Sequence, residues 1–377
     1  MDLGKRYRLS NKARVREERL GGVAYCHQTQ NLLLAYSSPS TSYELLRPGL
    51  VAPLCVTWEL TSACNLDCVH CLSSSGKRAP DELTLEECKA ILDDLAEMKV
   101  FYVNVGGGEP LLRHDLFDIA RYSLELGIDF QVSTNCTLIG DAAVRHMADL
   151  PGLRVQVSLD GADAATNDAI RGQGSYQKAR EGLELLARYD VDFSINCVLT
   201  RFSFPQLDAL RNLAQSYGAR LRVSRLRPSG RGRERWALLR PTGEQNILFY
   251  YWLRGHPDVL TGDSFFFLSA LGQELDGLGM CGAGRVTCCL TPSGDVYPCA
   301  FLIWPQFWAG SVRQRPLSVM WRDAAVFRQL RLYEVEACQG CAHFPSCHGG
   351  CIAASFFETG SLGNPDPECV GSLSFDE

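Results

Sequence analysis

The sequence predicts an α/β protein, a partial (β/α)6 barrel followed by a loop-rich, cysteine-rich domain, and three observations carry that expectation. Short β-branched runs alternate with amphipathic stretches from residue 53 onward. Chemistry-bearing residues fall at the carboxyl ends of those runs. After Cys281 the alternation gives way to turns and closely spaced cysteines. Strands separated by helix-length stretches imply βαβ units and a parallel sheet. Six units fall short of a closed eight-strand barrel, so the sheet should stay open, with its working loops at the carboxyl ends of the strands.

The predicted strands are Leu54 to Leu60, Phe101 to Val105, Asp129 to Thr134, Arg154 to Leu159, Phe193 to Leu199 and Arg220 to Leu226. Between them Leu85 to Met98, Leu116 to Leu126, Tyr176 to Arg188 and Leu207 to Tyr217 place apolar residues at helical spacing. Thr84 and Glu87 form a capping box at the start of the first of these helices. Residues 228–280 read as a connecting region, broken by Pro228, Gly230 and Gly232, with one helix through Gln245 to Leu253. The expected division is an amino-terminal extension over 1–52, the partial barrel over 53–227, the connection over 228–280 and the cysteine-rich domain over 281–377. In the extension, Gly22 to Tyr25 and Leu32 to Tyr36 flank a polar turn at 28–31, a hairpin that must pack on something because one hairpin is marginal alone.

Composition narrows the class. The 377 residues are 46% hydrophobic and 21% charged, which excludes disordered and fibrous proteins, and suffice for two or three domains. The first twenty residues lack the apolar core of a signal peptide, and no run approaches the roughly 18 apolar residues of a membrane span. A cytoplasmic location is therefore expected. Thiols stay reduced there, so the seventeen cysteines point to metal ligation or catalysis rather than disulfides. Net charge is −6, and the first twenty residues carry seven Lys or Arg against three acids, leaving an acidic body that argues against nucleic-acid binding. The basic arm itself reads as a solvated end.

The densest chemistry lies in TSACNLDCVHC, where Cys64, Cys68 and Cys71 follow the first strand. A closed zinc site wants four ligands. A cube of iron and sulfide held by three thiolates leaves one iron open to a small molecule. Zinc and a disulfide pair are the alternatives. Gly106-Gly107-Gly108-Glu109-Pro110 follows the second strand, with glycines that let backbone approach a ligand and a carboxylate beside them. Cys281, Cys299, Cys338, Cys341, Cys347, Cys351 and Cys369 make a second field, for which two zinc ribbons are the bland account.

These motifs together resemble the radical S-adenosylmethionine enzymes, a TIM-like partial-barrel family, and the second field resembles their SPASM domain. The resemblance implies that Cys64, Cys68 and Cys71 hold the radical-forming cluster. Its open iron would take S-adenosylmethionine, with His70 against the adenine, Gly107, Gly108 and Glu109 at the methionyl amine, and Ser158 and Arg171 at the carboxylate. It also implies two auxiliary iron-sulfur clusters, three in all. Cys281, Cys299 and Cys351 would hold the first, and Cys338, Cys341, Cys347 and Cys369 the second. The fourth ligand of the first is left open between Cys288, Cys289 and none. Arg225 and Arg227, at the end of the sixth strand, are expected to bind a substrate carboxylate, against the bland account of a solvated basic loop.

CVTWELTSACNLDCVHCLSSSG, FYVNVGGGEP, RLRPSGRG, TGDSFFFLS, MCGAGRV and NPDPECV narrow the resemblance to the mycofactocin radical maturases, over about residues 53–370. What this implies is oxidative decarboxylation of the carboxyl-terminal Tyr of a small precursor peptide ending in Val-Tyr, followed by a carbon-carbon bond to the Val that closes a lactam. A peptide-carrier protein and an electron donor such as flavodoxin or ferredoxin would be partners. The segment VREERLGGVAYCHQTQNLLLAY is similar to the opening hairpin of that carrier and is expected to be a docking or packing element. Other peptide maturases, which crosslink a quinone-cofactor precursor or mature a sulfatase, are the runner-up. A non-catalytic iron-sulfur redox protein is the reading from a different class.

Overall fold

A computed structural model describes residues 13–19, 21–27, 32–36, 46–261, 264–272 and 280–370. The six expected strands form as β4 (Cys55–Thr61), β5 (Tyr102–Gly107), β6 (Asp129–Thr134), β7 (Leu153–Ser158), β8 (Phe193–Leu199) and β9 (Arg220–Arg225). They lie side by side in chain order, each parallel to the next. Side chains alternate across a strand, so one face can be apolar and the other polar. Val56, Trp58, Leu60, Val103, Val105, Phe130, Val132, Val155, Val157, Ile195, Leu221 and Val223 are buried in one core with Ile91, Leu92, Ile119, Leu183 and Leu210 of the covering helices.

The opposite face carries Thr57, Glu59, Asn104, Gly106, Gln131, Ser133, Gln156, Ser158, Asn196, Arg222 and Ser224. Hydrogen bonds run laterally along it: Gln131 Nε2 donates to Gln156 Oε1 at 3.2 Å, and Ser224 Oγ to Asn196 Oδ1 at 2.6 Å. A polar inner face of this kind is what an open barrel needs to receive a polar ligand.

Two features of the fold correct the sequence expectation. The cysteine-rich segment is not simply appended. Its first strand, β10 (Thr287–Leu290), pairs parallel with β4, and the short strands β11 (Asp295–Tyr297) and β12 (Gly310–Ser311) extend one nine-stranded sheet. The connecting region holds two α-helices, Arg231–Leu239 and Gly243–Gly255, where one is expected. The first was hidden by its run of arginines; the second opens on a further capping box, Thr242 with Gln245.

The amino-terminal hairpin is a three-stranded antiparallel sheet, β1 (Ala13–Glu18), β2 (Gly21–Cys26) and β3 (Leu32–Tyr36). The expected turn at 28–31 and the first twelve residues of the basic arm lie outside the described residues. Val23 and Tyr25 bury against Leu50, Leu54 and Phe101, at the amino ends of the parallel strands. Arg14 and Arg16 are therefore not solvated as expected. Arg16 is 3% exposed and donates to the carbonyls of Ala52, Pro53 and Lys99 at 2.7, 2.9 and 3.1 Å, closing the end of the barrel remote from the working loops.

Candidate active site at the strand ends

The loop after β4 is tied down through its backbone. Cys64 N–H donates to Gly76 O at 2.9 Å, Val69 N–H to Ile170 O at 2.9 Å, and Cys71 N–H to Cys68 O at 3.2 Å. The turn after β9 packs straight onto it. Arg231 Nε donates to Cys68 O at 3.0 Å, and a Cβ on Gly230 would stand 2.5 Å from the carbonyls of both Cys71 and Leu72. The Cys68 thiol feels the charges of Cys71 and Cys64, and burial pushes it up to about 11. Among the described residues no three His, Cys, Asp or Glu side chains close on a single metal ion. Three soft thiols with no hard donor among them suit an iron-sulfur cluster.

Glu109 lies beside this loop and is 1% exposed. Its Oε1 accepts from Thr134 Oγ1 at 2.8 Å and Leu111 N–H at 3.1 Å, and its Oε2 from Asn135 N–H at 2.8 Å. Burial raises its pKa and these three bonds oppose the rise. A fourth acceptor position on the carboxylate is left over. The glycines before it have a local cause. A Cβ on Gly108 would stand 2.0 Å from Ala63 O, and one on Gly107, at φ +95°, would stand 2.7 Å from Thr61 O. They let β5 close on the cysteine loop, a need of the chain itself.

His70 and Arg171 converge on one acid. His70 Nε2 lies 2.8 Å and Arg171 Nε 2.7 Å from Asp160 Oδ2, all three side chains being buried. Burial alone would raise Asp160, but Arg171 and His70 hold its carboxyl well below the usual range. Arg171, expected at a cofactor carboxylate, turns its Nε to Asp160. Ser158, at the end of β7, stays half-buried on the polar inner face.

Arg225 and Arg227 are likewise engaged. Arg225 forks onto Asp366 at 2.6 and 2.7 Å, reaches Glu368 at 2.7 Å and donates to Ser264 O at 3.0 Å. Arg227 sits 3.8 Å from the ring centre of Phe301, with Nη1 4.0 Å from Cys351 Sγ. For Arg225 the expected hold on a substrate carboxylate thus gives way to an internal ion pair with Asp366 and Glu368. On β9 the arginines on the polar side are Arg220 and Arg222, and Arg222 makes no ion pair among the described residues. Period-two reading of the strand, Arg222 and Ser224 against Leu221 and Val223, would have found it.

The second cysteine field gathers in two groups. Cys299 feels the charges of Cys281 and Cys351, and Cys281 that of Cys351. Cys338, Cys341, Cys347 and Cys369 line one small pocket with Gly349, Gly350 and Asp366. That pocket is walled by four thiols and is the strongest sign that this chain fits a cluster. Asp366 joins the groups: it accepts from Cys351 N–H at 2.8 Å and its carbonyl accepts from Cys369 N–H at 2.9 Å. Cys288 and Cys289 are both fully buried on β10 but face opposite ways, Cys288 into the apolar core with Val56 and Trp58, and Cys289 toward Glu59 and Cys299.

Glu59 itself is a residue that sequence reading missed. It is 8% exposed, its Oε1 is sealed without a hydrogen-bond partner, and burial pushes its carboxyl up to about 7. The signal was the strand WELT, whose alternation sets Glu59 opposite Trp58 and Leu60.

Comparison with known proteins agrees with this geometry. Residues 58–211 match the radical SAM superfamily, and residues 281–342 match the SPASM iron-sulfur cluster-binding domain. The mycofactocin maturase MftC of Mycobacterium tuberculosis strain H37Rv is 49% identical over 333 residues, covering 87% of this chain and 85% of its own. The AdoMet-dependent heme synthase of Methanosarcina barkeri is 30% identical, over 85% of this chain and 97% of its own. Among solved structures, Streptococcus suis SuiB bound to S-adenosylmethionine aligns over 96% of this chain and 99% of its own with a TM-score of 0.78 at 18% identity, a likeness of fold. With its three-thiol loop, its thiol-walled pocket and these relatives, the chain is a radical S-adenosylmethionine enzyme with a SPASM domain and belongs with the mycofactocin maturases.

Proposed function

We propose that this enzyme matures a small precursor peptide ending in Val-Tyr, first decarboxylating the terminal tyrosine oxidatively and then joining it to the valine through a carbon-carbon bond. The observation that carries the reading is the 49% identity to the M. tuberculosis mycofactocin maturase across the barrel and the cysteine-rich segment together. Cys64, Cys68 and Cys71 would hold the radical-forming cluster, which, with S-adenosylmethionine bound, supplies a 5′-deoxyadenosyl radical that removes a hydrogen atom from substrate. Glu109 would take the methionyl amine at its remaining acceptor position. Gly107 and Gly108 bring β5 close enough to the cysteine loop for that contact. Asp160 keeps His70 and Arg171 in place behind the loop, so His70 would border the adenine with one edge fixed. Ser158, on the inner face at the end of β7, would be a partner for the cofactor carboxylate.

Two auxiliary clusters would be held by Cys281, Cys299 and Cys351, with Cys289 on the same side as Cys299, and by Cys338, Cys341, Cys347 and Cys369. They suit a net oxidation, which must pass one electron from the substrate to an acceptor. A flavodoxin or ferredoxin would supply the starting electron, and a separate carrier protein would deliver the peptide in the cytoplasm. The three-stranded amino-terminal sheet, packed on the closed end of the barrel, supports a packing task for that segment over carrier function.

The test is anaerobic reconstitution with iron, sulfide, reductant, S-adenosylmethionine, carrier and a Val-Tyr peptide, read by mass spectrometry. Loss of the elements of formic acid is the expected result; loss of two hydrogens alone would instead indicate a crosslinking maturase. A second reading, action on a tetrapyrrole, is favoured by the 30% identity to the AdoMet-dependent heme synthase of M. barkeri. Turnover of a porphyrin with no change to the peptide would move the assignment there.

A further inference from the structure

Glu59 stands on the inner face of β4, five residues before Cys64 and opposite Gly106 of β5 in the parallel register. Two neighbours leave it room. Gly106 offers no side chain, and a Cβ there would find Ser133 Cβ at 3.7 Å as its nearest contact. Gly107 lies against it as bare backbone, since a Cβ on Gly107 would come within 3.0 Å of Glu59 Cα and Cβ. Glu59 thus sits beside the strand end that carries Glu109, under the mouth of the barrel.

A carboxyl group in this position has nothing within the chain to do. It makes no hydrogen bond or ion pair among the described residues, and its Oε1 is sealed from solvent without a partner. Leaving a buried polar group unpaired costs on the order of 1–3 kcal/mol, so such a group is retained for a ligand or a reaction. The titratable side chain that feels its charge is the buried Cys289 thiol of β10. No cation holds Glu59 ionised; burial is the sole cause of its upward shift, which brings it near neutrality.

We propose that Glu59 is a catalytic residue: its carboxylate accepts a hydrogen bond, and then the proton, from the phenol of the tyrosyl end of the bound peptide. The assignment rests on the reading of the substrate given above. A base must be ionised, and an ionised Glu59 would repel the terminal carboxylate, while the amide N–H is far too weak an acid. The phenol is left. Its O–H bond breaks, the proton moves to a Glu59 oxygen and the bonding pair stays on the phenolate oxygen, so this step involves no oxidation. After a hydrogen atom is removed from the carbon beside the ring, the electron-rich phenolate favours the oxidation. One electron would leave to an iron-sulfur cluster held by the cysteine-rich segment as the bond to the terminal carboxylate breaks, carbon dioxide departs and the carbon-carbon double bond forms. The proton then returns from Glu59 to the phenolate.

The experiment compares wild type, Glu59→Gln and Glu59→Asp, each reconstituted to equal iron and sulfide content, on Val-Tyr and Val-Phe peptides across pH 6 to 9. Glu59→Gln should slow decarboxylation of the Val-Tyr peptide at least tenfold and raise the 5′-deoxyadenosine formed per product. It should also remove a pH limb near 7, with partial recovery in Glu59→Asp. On the Val-Phe peptide, which has no phenol proton, wild type and Glu59→Gln should be equally slow. Equal penalties on both peptides, or a limb that persists in Glu59→Gln, overturn the assignment while the proposed function stands. A wild-type enzyme that leaves the Val-Tyr peptide unchanged overturns the proposed function and takes this assignment with it.

Discussion

Asp160 is sealed from solvent with Arg171 and His70 against one of its oxygens, whereas Glu59 is sealed with no cation beside it. Their protonation is therefore linked to stability with opposite signs. Asp160 titrates lower in the fold than in the open chain, so its contribution is present above the ordinary carboxylate range and is lost as pH falls. Asp160→Asn leaves Arg171 buried without its partner and should cost about 3 kcal/mol or more, read as a fall in Tm of the reconstituted enzyme at pH 7. Glu59 titrates near 7 in the fold against an ordinary 4.5, so its neutral form is the stable one, and stability is lost as pH rises through 7. Glu59→Gln should thus be more stable than wild type at pH 8 by up to roughly 3 kcal/mol and equal to it only below about pH 4.5, with Tm against pH as the measurement. A gap that widens toward acid would show the sign to be wrong. The hold of Asp160 on His70 and Arg171 was not legible in the sequence, because the loop after β4, the end of β7 and the helix Ala164–Arg171 meet only through packing.

The strands and their order were legible because period-two alternation and the helical stretches between them are local properties. Less legible was where the sheet stops, since the pairing of β10 with β4 brings Cys289 beside Thr57 from more than two hundred residues away. Arg225 was misread for the same reason: its partners Asp366 and Glu368 come from the far end of the chain. Asp366 is hydrogen-bonded to the loops of both cysteine groups, so Asp366→Asn should disturb both at once. It leaves Arg225 with Glu368 as its one ionic partner among the described residues. Iron and sulfide content should fall, and the low-temperature electron paramagnetic resonance of the auxiliary clusters should change, while the signal dependent on Cys64, Cys68 and Cys71 persists. Unchanged auxiliary spectra would show that the network only joins segments. At the opposite end, Tyr25 stacks on Phe101 and Tyr102 and donates to Asp129 Oδ2 at 3.0 Å. Tyr25→Ala should cost about 3–5 kcal/mol, seen in thermal unfolding, if the amino-terminal sheet is structural. An unchanged Tm would return that segment to a docking role.

The ends of the barrel divide the labour. The amino-terminal sheet closes the end where the parallel strands begin, and the cysteine loop, Glu109 and the two thiol groups gather where they finish. Between them runs a polar inner face with Glu59 on it and Arg222 across the sheet. Among the described residues no helix is long and apolar enough to cross a membrane. Motif spacing told where the chemistry is, because thiols and glycines at strand ends have few other uses in such numbers. It did not tell which arginines are free to meet substrate, which depends on tertiary partners.

The most direct measurement is the reduced, anaerobically loaded enzyme mixed with S-adenosylmethionine, followed by electron paramagnetic resonance and by assay of methionine and 5′-deoxyadenosine. A perturbed cluster signal with both products formed is predicted for wild type. With Cys64, Cys68 and Cys71 replaced by Ala, both should disappear while the iron of the cysteine-rich segment is retained. Fully loaded, reduced wild-type protein that gives neither a spectral change nor cleavage of the sulfonium would contradict the account.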